Sequence, residues 1–414
     1  MSDHAGINRG VFSSEMLRKA VEDGIILVPT RQPIGDNQFQ PASLDLRLGA
    51  TAHRLRSSFL PGTESTVRER LRDLEMGSPL DLGDPHGAVL ERGRPYLIPL
   101  VEKLQLPDGV RGRTNPRSST GRLDIFTRVI TEQGVRFDEI PAGYRGQLWL
   151  EVYSNTFTVG VRRGLALAQV RLSDSDRRLR TDDINDLHQS EGLLFDPDEL
   201  GSRVEQPMVA SDGLFVSVNL PADDFVGWRA KDNSGLLDLA AEAAYEPTDY
   251  WEPVFGERGG RLVLHPEEFY LLISRERVSI PPCVAAEMVA YDPTNGELRT
   301  HYAGFFDPGF GYSESGSRGT RAVLEVRAHD VPFMLEDSQP VARFAYEQMA
   351  TSPERLYGDE EAASHFQDQD VALSRQFKPP ALHVRMTPAS TPNAGRKSRP
   401  AGGSTRSVRR SRTL

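Results

Sequence analysis

The chain has 414 residues, 38% of them hydrophobic, a formal net charge of −10 and a single cysteine, Cys283. That length supports two or three buried cores, and the acidic balance argues against specific nucleic-acid binding, which draws its affinity from Lys and Arg set against phosphates. One cysteine excludes an intrachain disulfide framework and a Cys-rich zinc site; with no apolar run near ~20 residues and no basic-then-apolar leader, neither membrane insertion nor export is indicated, and the chain reads as cytoplasmic.

In chain order, helical periodicity is convincing only over Ser13 to Asp23 and a few short stretches, while Pro, Gly and short β-rich runs dominate. A mostly β protein follows. The segment Arg117-Ser-Ser-Thr-Gly-Arg122 is a turn with two guanidinium forks and three hydroxyls, and Gly121 lets the backbone approach a ligand closely. These are groups that hold phosphate oxygens, although an ordinary polar turn after Asn115-Pro116 has the same look. Period-2 alternation over Gln147 to Tyr153 puts Leu148, Leu150 and Val152 on one face and Trp149, Glu151 and Tyr153 on the other. Glu151 thus sits between aromatics, where partial burial would raise its pKa towards a useful range for proton transfer; the plainer reading pairs it with a cross-strand Arg. Farther on, Gly304-Phe-Phe-Asp-Pro-Gly-Phe310 is a turn presenting Asp307. Beyond Gln376 the chain turns to Pro, Ser, Thr, Gly and Arg without an acidic residue, so a disordered basic tail is expected over 377–414.

An internal repeat organises these elements. Tyr96 to Val110 aligns without gaps on Tyr270 to Val284, pairing Glu102 with Glu276 and Pro107 with Pro281. The same offset, 174 residues, returns where Leu150-Glu-Val152 meets Leu324-Glu-Val326 and Leu167-Ala168 meets Val341-Ala342. A looser match sets Leu44-Asp-Leu46 against Leu237-Asp-Leu239. Two homologous β-domains are therefore expected, at 11–205 and 206–376. They look complementary: Tyr291-Asp-Pro-Thr-Asn-Gly296 replaces the phosphate turn in the second, and Pro141 replaces Asp307 in the first.

Four motifs in order resemble the dCTP deaminase family, a branch of the trimeric dUTPase superfamily, in its long tandem-domain bacterial form. They are Gln40-Pro-Ala-Ser-Leu-Asp-Leu-Arg-Leu-Gly49, the 117–122 turn, Leu-Glu-Val-Tyr-Ser-Asn at 150–155, and Tyr357-Gly followed by Ser364-His-Phe-Gln-Asp-Gln369. His365 stands where that family commonly has Lys. The resemblance implies two tandem, distorted, jelly-roll-like β-barrels, hydrolytic deamination of dCTP to dUTP and ammonia, and Mg2+ carried by the triphosphate. Zinc is not implied, and the Pro-Cys-x-x-Cys signature of zinc deaminases is missing. Carried over, Glu151 is the base that activates water at C4, with Ser118 and Arg122 positioning water and base ring. Arg117 and Ser119 hold phosphates, Asp307 faces the sugar, and Tyr357, His365 and Gln369 close over the nucleotide. Glu325 occupies the same Leu-Glu-Val position in the repeat; Glu151 is preferred because Tyr153 and Asn155 complete the pattern, where the repeat has Arg327 and His329. A homo-oligomer with sites shared between β-domains is expected. The competing readings are a dUTP diphosphatase, a bifunctional enzyme running from dCTP to dUMP, and a nucleotide-binding regulator without turnover.

Overall fold

In the strand Arg145–Ser154 the alternation has the expected outcome: Leu148, Leu150 and Val152 enter one hydrophobic core, and Trp149 enters a smaller one with Leu97 and Ile130. Its neighbours are Pro95–Gln105, with Glu151 opposite Leu97, and Ile125–Thr131, with Glu151 opposite Arg128. The structure is a computed structural model that describes residues 9–199, 201–290, 298–300, 304–314, 316, 318–328, 330–359 and 372–380. The expected disorder of the tail lies outside the described residues for all but its first few positions.

The repeat is written into the strand register. Glu151 faces Leu97 in the first half, and Glu325 faces Leu271 in the second; Tyr96 faces Val152, and Tyr270 faces Val326. A second sheet in each half obeys the same rule, with Ala168 between Pro116 and Leu46, and Ala342 between Ala290 and Val216. The counterpart of Leu44–Leu46 is therefore Leu214–Val216. Leu237–Asp238 instead runs parallel to Val159–Gly160 of the first half; a three-residue alternation is too short a pattern to fix an alignment.

The expected closed, jelly-roll-like barrels are not formed. Among the described residues the strands make five open sheets of three or more strands and one two-stranded ribbon, each path ending on edge strands rather than closing on itself. One of them, containing Leu237–Asp238, Val159–Val161 and Ala88–Leu90, joins the two halves. Residues on the first side of the expected boundary near 205 also cross over. Ile184 of the helix Thr181–Ser190, with Leu193 and Leu194, packs in the second core, and Leu194 pairs with Val278. Apolar surface, rather than the repeat's arithmetic, decides which core a segment joins. The N-terminal helix Ser14–Glu22 buries Leu17 and Ala20 as its periodicity requires. No helix among the described residues is long and apolar enough to cross a membrane.

The repeated glutamates have a structural explanation. Glu102 is fully buried and accepts hydrogen bonds from the backbone N–H (2.8 Å) and Nε (2.7 Å) of Arg47. Glu276 does the same for the backbone N–H of Ser217 (2.8 Å), one residue past Val216 as Arg47 is past Leu46. Each carboxylate thus satisfies a donor on the facing sheet and holds the two sheets of its half in register. Replacing Glu102 by Ala leaves the half-buried Arg47 guanidinium uncompensated, so Glu102→Ala should cost about 3–5 kcal/mol, read as a lower denaturant midpoint.

Candidate functional site

The polar turn is built where the strand Arg111–Pro116 gives way to the short helix Ser118–Gly121. Backbone bonds from Thr120 and Gly121 to the Arg117 carbonyl (2.8 and 3.0 Å) and from Arg122 to the Ser118 carbonyl (3.1 Å) close it tightly. Asp124 ends it in the left-handed region, at φ 57°. From behind, the C-terminal segment braces the turn: Ser374 Oγ donates to the Ser119 carbonyl (2.6 Å), and Arg122 Nη1 donates to the Ala372 carbonyl (2.8 Å).

This turn forms one wall of a cleft between the halves, with about 970 Å³ of empty space including open solvent. Arg117, Ser118, Ser119, Gly121 and Arg122 face Phe305, Asp307, Glu325 and Tyr357 of the second half across it, with Gln40, Asp45 and Gln169 at its edge. Gly121 and Glu325 approach one another across it. A Cβ on Gly121 would stand 2.6 Å from Glu325 Oε2 and 2.7 Å from Oε1, so a larger residue there would force the carboxylate out of its present position.

The cleft's electrostatics follow from burial. Burial pushes the Glu325 carboxyl up to about 8; the Arg122 guanidinium works against the rise and Asp124 adds to it. Arg122 is itself lowered to about 10 by burial, with Glu325 and Tyr357 opposing. Asp45 is lifted to about 6 by burial, against the pull of Arg117, whose Nη1 lies 3.3 Å from Asp45 Oδ2; Asp45 Oδ1 is buried without a hydrogen-bond partner. Asp307 is also raised by burial, and an ion pair with Arg171 (2.9 Å) opposes that rise. The Arg171 guanidinium lies 4.0 Å from the centre of the Phe305 ring.

The structure therefore brings together Arg117, Ser118, Ser119, Arg122, Asp307, Glu325 and Tyr357. It does not bring Glu151 to them. Glu151 is buried elsewhere, paired through Oε1 with the Nε (3.0 Å) and Nη2 of Arg128 on the adjacent strand. The Arg128 guanidinium is stacked between Phe126 and Phe137 and donates to Ser58 (2.8 Å), which holds it over the carboxylate. This is the cross-strand pairing that the alternation left open. His365 and Gln369 lie outside the described residues. The sequence motifs include Asp45 without assigning it a role, and leave Gln169 and Arg171 unmarked. The signal was available: Gln169 and Arg171 are alternate polar residues in the otherwise apolar strand Ala166–Ser173, and Asp45 interrupts Leu44 and Leu46.

Comparison with known proteins decides the family. Models of the N-terminal and C-terminal domains of 2'-deoxycytidine 5'-triphosphate deaminase match residues 8–176 and 181–377. The chain belongs to the dCTP deaminase family. It is thus an enzyme of a hydrolase family whose chemistry is deamination of a pyrimidine deoxynucleoside triphosphate in nucleotide metabolism. A solved structure of 2'-deoxycytidine 5'-triphosphate deaminase from Agrobacterium tumefaciens is similar at 43% identity and a TM-score of 0.78, over 85% of this chain and 99% of that one. Shorter relatives match a single stretch. The "dCTP deaminase, dUMP-forming" of Sulfurihydrogenibium sp. (strain YO3AOP1) is 26% identical over 171 residues, 41% of this chain and 86% of that protein. The protein of the same name from Coprothermobacter proteolyticus is 29% identical over 165 residues, 39% of this chain and 80% of that protein. A "dCTP deaminase" from Haloarcula marismortui is 26% identical over 162 residues, 39% of this chain and 78% of that protein.

The contact between Gly121 and Glu325 makes a sharp prediction. Gly121→Ala favours the helical backbone but drives its methyl into the Glu325 carboxylate, so thermal stability should hold while kcat falls roughly 100-fold, measured by melting and steady-state kinetics.

Proposed function

We propose that this cleft deaminates dCTP, with Glu325 rather than Glu151 as the general base. The observation that carries the reading is the buried Glu325 carboxylate against Gly121, beside Ser118 and Arg122, with a proton affinity raised to about 8. A carboxylate of that affinity takes a proton from water as the oxygen attacks C4, then returns it to the amino group, and ammonia leaves. dCTP and water become dUTP and ammonia. Ser118 and Arg122 supply donors to the charge that develops at the attacked ring, and Arg117 and Ser119 are the groups for phosphate oxygens. Glu151 is unsuited to the task because Arg128 already holds its Oε1. Both walls of the cleft come from one chain, which supports a site shared between the two β-halves.

The accompanying Mg2+ fits this lining modestly. Among the described residues no three His, Cys, Asp or Glu side chains cluster, and Asp307 is tied to Arg171. Asp45 Oδ1 is the buried oxygen left without a partner, which suits an ion held mainly by triphosphate oxygens, with Asp45 as a contributing carboxylate. Bound there, the ion would neutralise phosphate charge.

A second reading carries the product on to dUMP and pyrophosphate. The names of the Sulfurihydrogenibium and Coprothermobacter relatives favour it, as does a second carboxylate, Asp45, beside Arg117 with its proton affinity at about 6. The A. tumefaciens protein, which is similar across both halves, is named for deamination alone.

Two measurements test these readings. Glu325→Gln should lower kcat roughly 10²–10⁴-fold while Glu151→Gln remains within about threefold of the wild type; the reverse ranking would return the base to Glu151. Following ammonia and pyrophosphate together from dCTP settles the product: ammonia alone means dUTP, and equal yields of both mean dUMP. Because the base must be ionised, kcat/KM should rise with pH and level off above about 8.

A further inference from the structure

Behind Glu325 lies a second buried carboxylate. Asp124, fully buried two residues beyond Arg122, is ion-paired with Nη2 of Arg327, two residues beyond Glu325 on the same strand. The pair bridges the two halves, and neighbours fix its geometry. Thr156 Oγ1 donates to Asp124 Oδ2 (2.6 Å), Asn155 Nδ2 reaches Asp124 Oδ1 (3.3 Å), and Arg327 Nη2 also donates to Thr156 Oγ1 (3.2 Å). The other arm of Arg327 is held by the Glu267 carbonyl. Asp124 holds this position in a backbone conformation, φ 57°, that side chains other than Asn and Asp seldom adopt. Arg327 has no like in the repeat, where Tyr153 takes its place.

Glu325 and Arg327, two apart on an extended strand, lie on the same face, and Arg122 and Asp124 flank one bend of the turn. The turn and the strand therefore meet twice: at Gly121 against Glu325, and at Asp124 against Arg327. We propose that Asp124 and Arg327 are positioning residues for the deamination, their buried ion pair fastening the turn that carries Ser118 and Arg122 to the strand that carries Glu325. The inference rests on Glu325 being the base. Among the described residues, the ionisable groups around Glu325 are Arg117, Arg122 and Asp124 from the turn, Asp45, Asp307 and Tyr357 around the cleft, and Arg327 on its own strand. Loss of the Asp124 charge removes one of the influences that hold its proton affinity up and leaves Arg327 only the mostly exposed Glu267 carboxylate, 3.5 Å from its Nη1, as a counter-charge, and both changes favour the ionised carboxylate.

Asp124→Asn keeps a residue suited to the left-handed backbone and removes only the charge. The expected result is a kcat lowered about tenfold or more with KM within about threefold, and an acidic limb of the kcat profile displaced downward by about one pH unit. Asn beside a buried Arg that keeps only the exposed Glu267 carboxylate as counter-charge threatens folding, so the double variant Asp124→Asn with Arg327→Met is measured alongside. It should melt near the wild type and still show the lowered kcat, because the tether is gone. A double variant with wild-type kcat and pH profile overturns the proposal, as does a folded Asp124→Asn with an unmoved kcat and limb. Glu325→Gln, run in parallel, separates the two layers: its retained turnover would fail the assignment of the base, whereas its loss beside wild-type behaviour of both Asp124 variants would fail only the positioning role.

Discussion

The two halves meet in the cleft where a carboxylate packs against a glycine. Gly121 has no Cβ, and the Glu325 oxygens occupy the space a methyl would take. Everything else around the cleft serves that contact. The polar turn is braced from behind by Ser374 and Ala372, the strand bearing Glu325 is held in its sheet by the Leu271 and Leu272 register, and the joint sheet through Leu237 and Val159 links the halves. A shift of either half would separate a base from the groups that orient its substrate, at a cost that grows steeply with small displacements.

Two glutamates at one repeat position have met opposite fates, and charge explains the difference. Glu151 has Arg128 across the strand, held by two aromatic rings, so its buried charge is compensated at contact distance. Glu325 has Leu271 in register beside it and Arg122 from the other half, and burial outweighs that guanidinium. The same strand position therefore yields an ion pair within the sheet in one half and, in the other, a carboxylate whose proton affinity burial raises, which suits the proposed base. Under that reading the labour is divided: the first half carries the hydroxyl and guanidinium turn, and the second carries Glu325, the proposed base, and Asp307.

Burial is also what makes the cleft's charges serviceable. Asp45, Asp307 and Glu325 are each raised by desolvation, and guanidinium groups oppose each rise: Arg117 and Arg375 at Asp45, Arg171 at Asp307 and Arg122 at Glu325. Alternating acid and base in a water-poor space keeps the summed charge small. It leaves proton affinities that differ, with Asp45 at about 6 and Glu325 at about 8, a spread that lets neighbouring groups serve different roles.

Much was legible in the chain by itself. The β-rich character, the inward faces of Gln147 to Tyr153, the repeat and its offset, the 117–122 turn and the motifs that point to the dCTP deaminase family are all local or periodic, and local patterns survive in one dimension. The choice between Glu151 and Glu325 was not legible, because what separates them is Arg128 in one case and Gly121 in the other, residues brought near by strand pairing and by the meeting of the two halves. Nor was the open, cross-linked arrangement of sheets, since strand closure depends on which edges find partners rather than on any strand's own pattern. Composition and periodicity determined what this protein is made of and which residue types carry its chemistry; only the tertiary structure decided which carboxylate is buried without a neutralising partner in its own sheet, because desolvation and charge pairing are properties of neighbours in space.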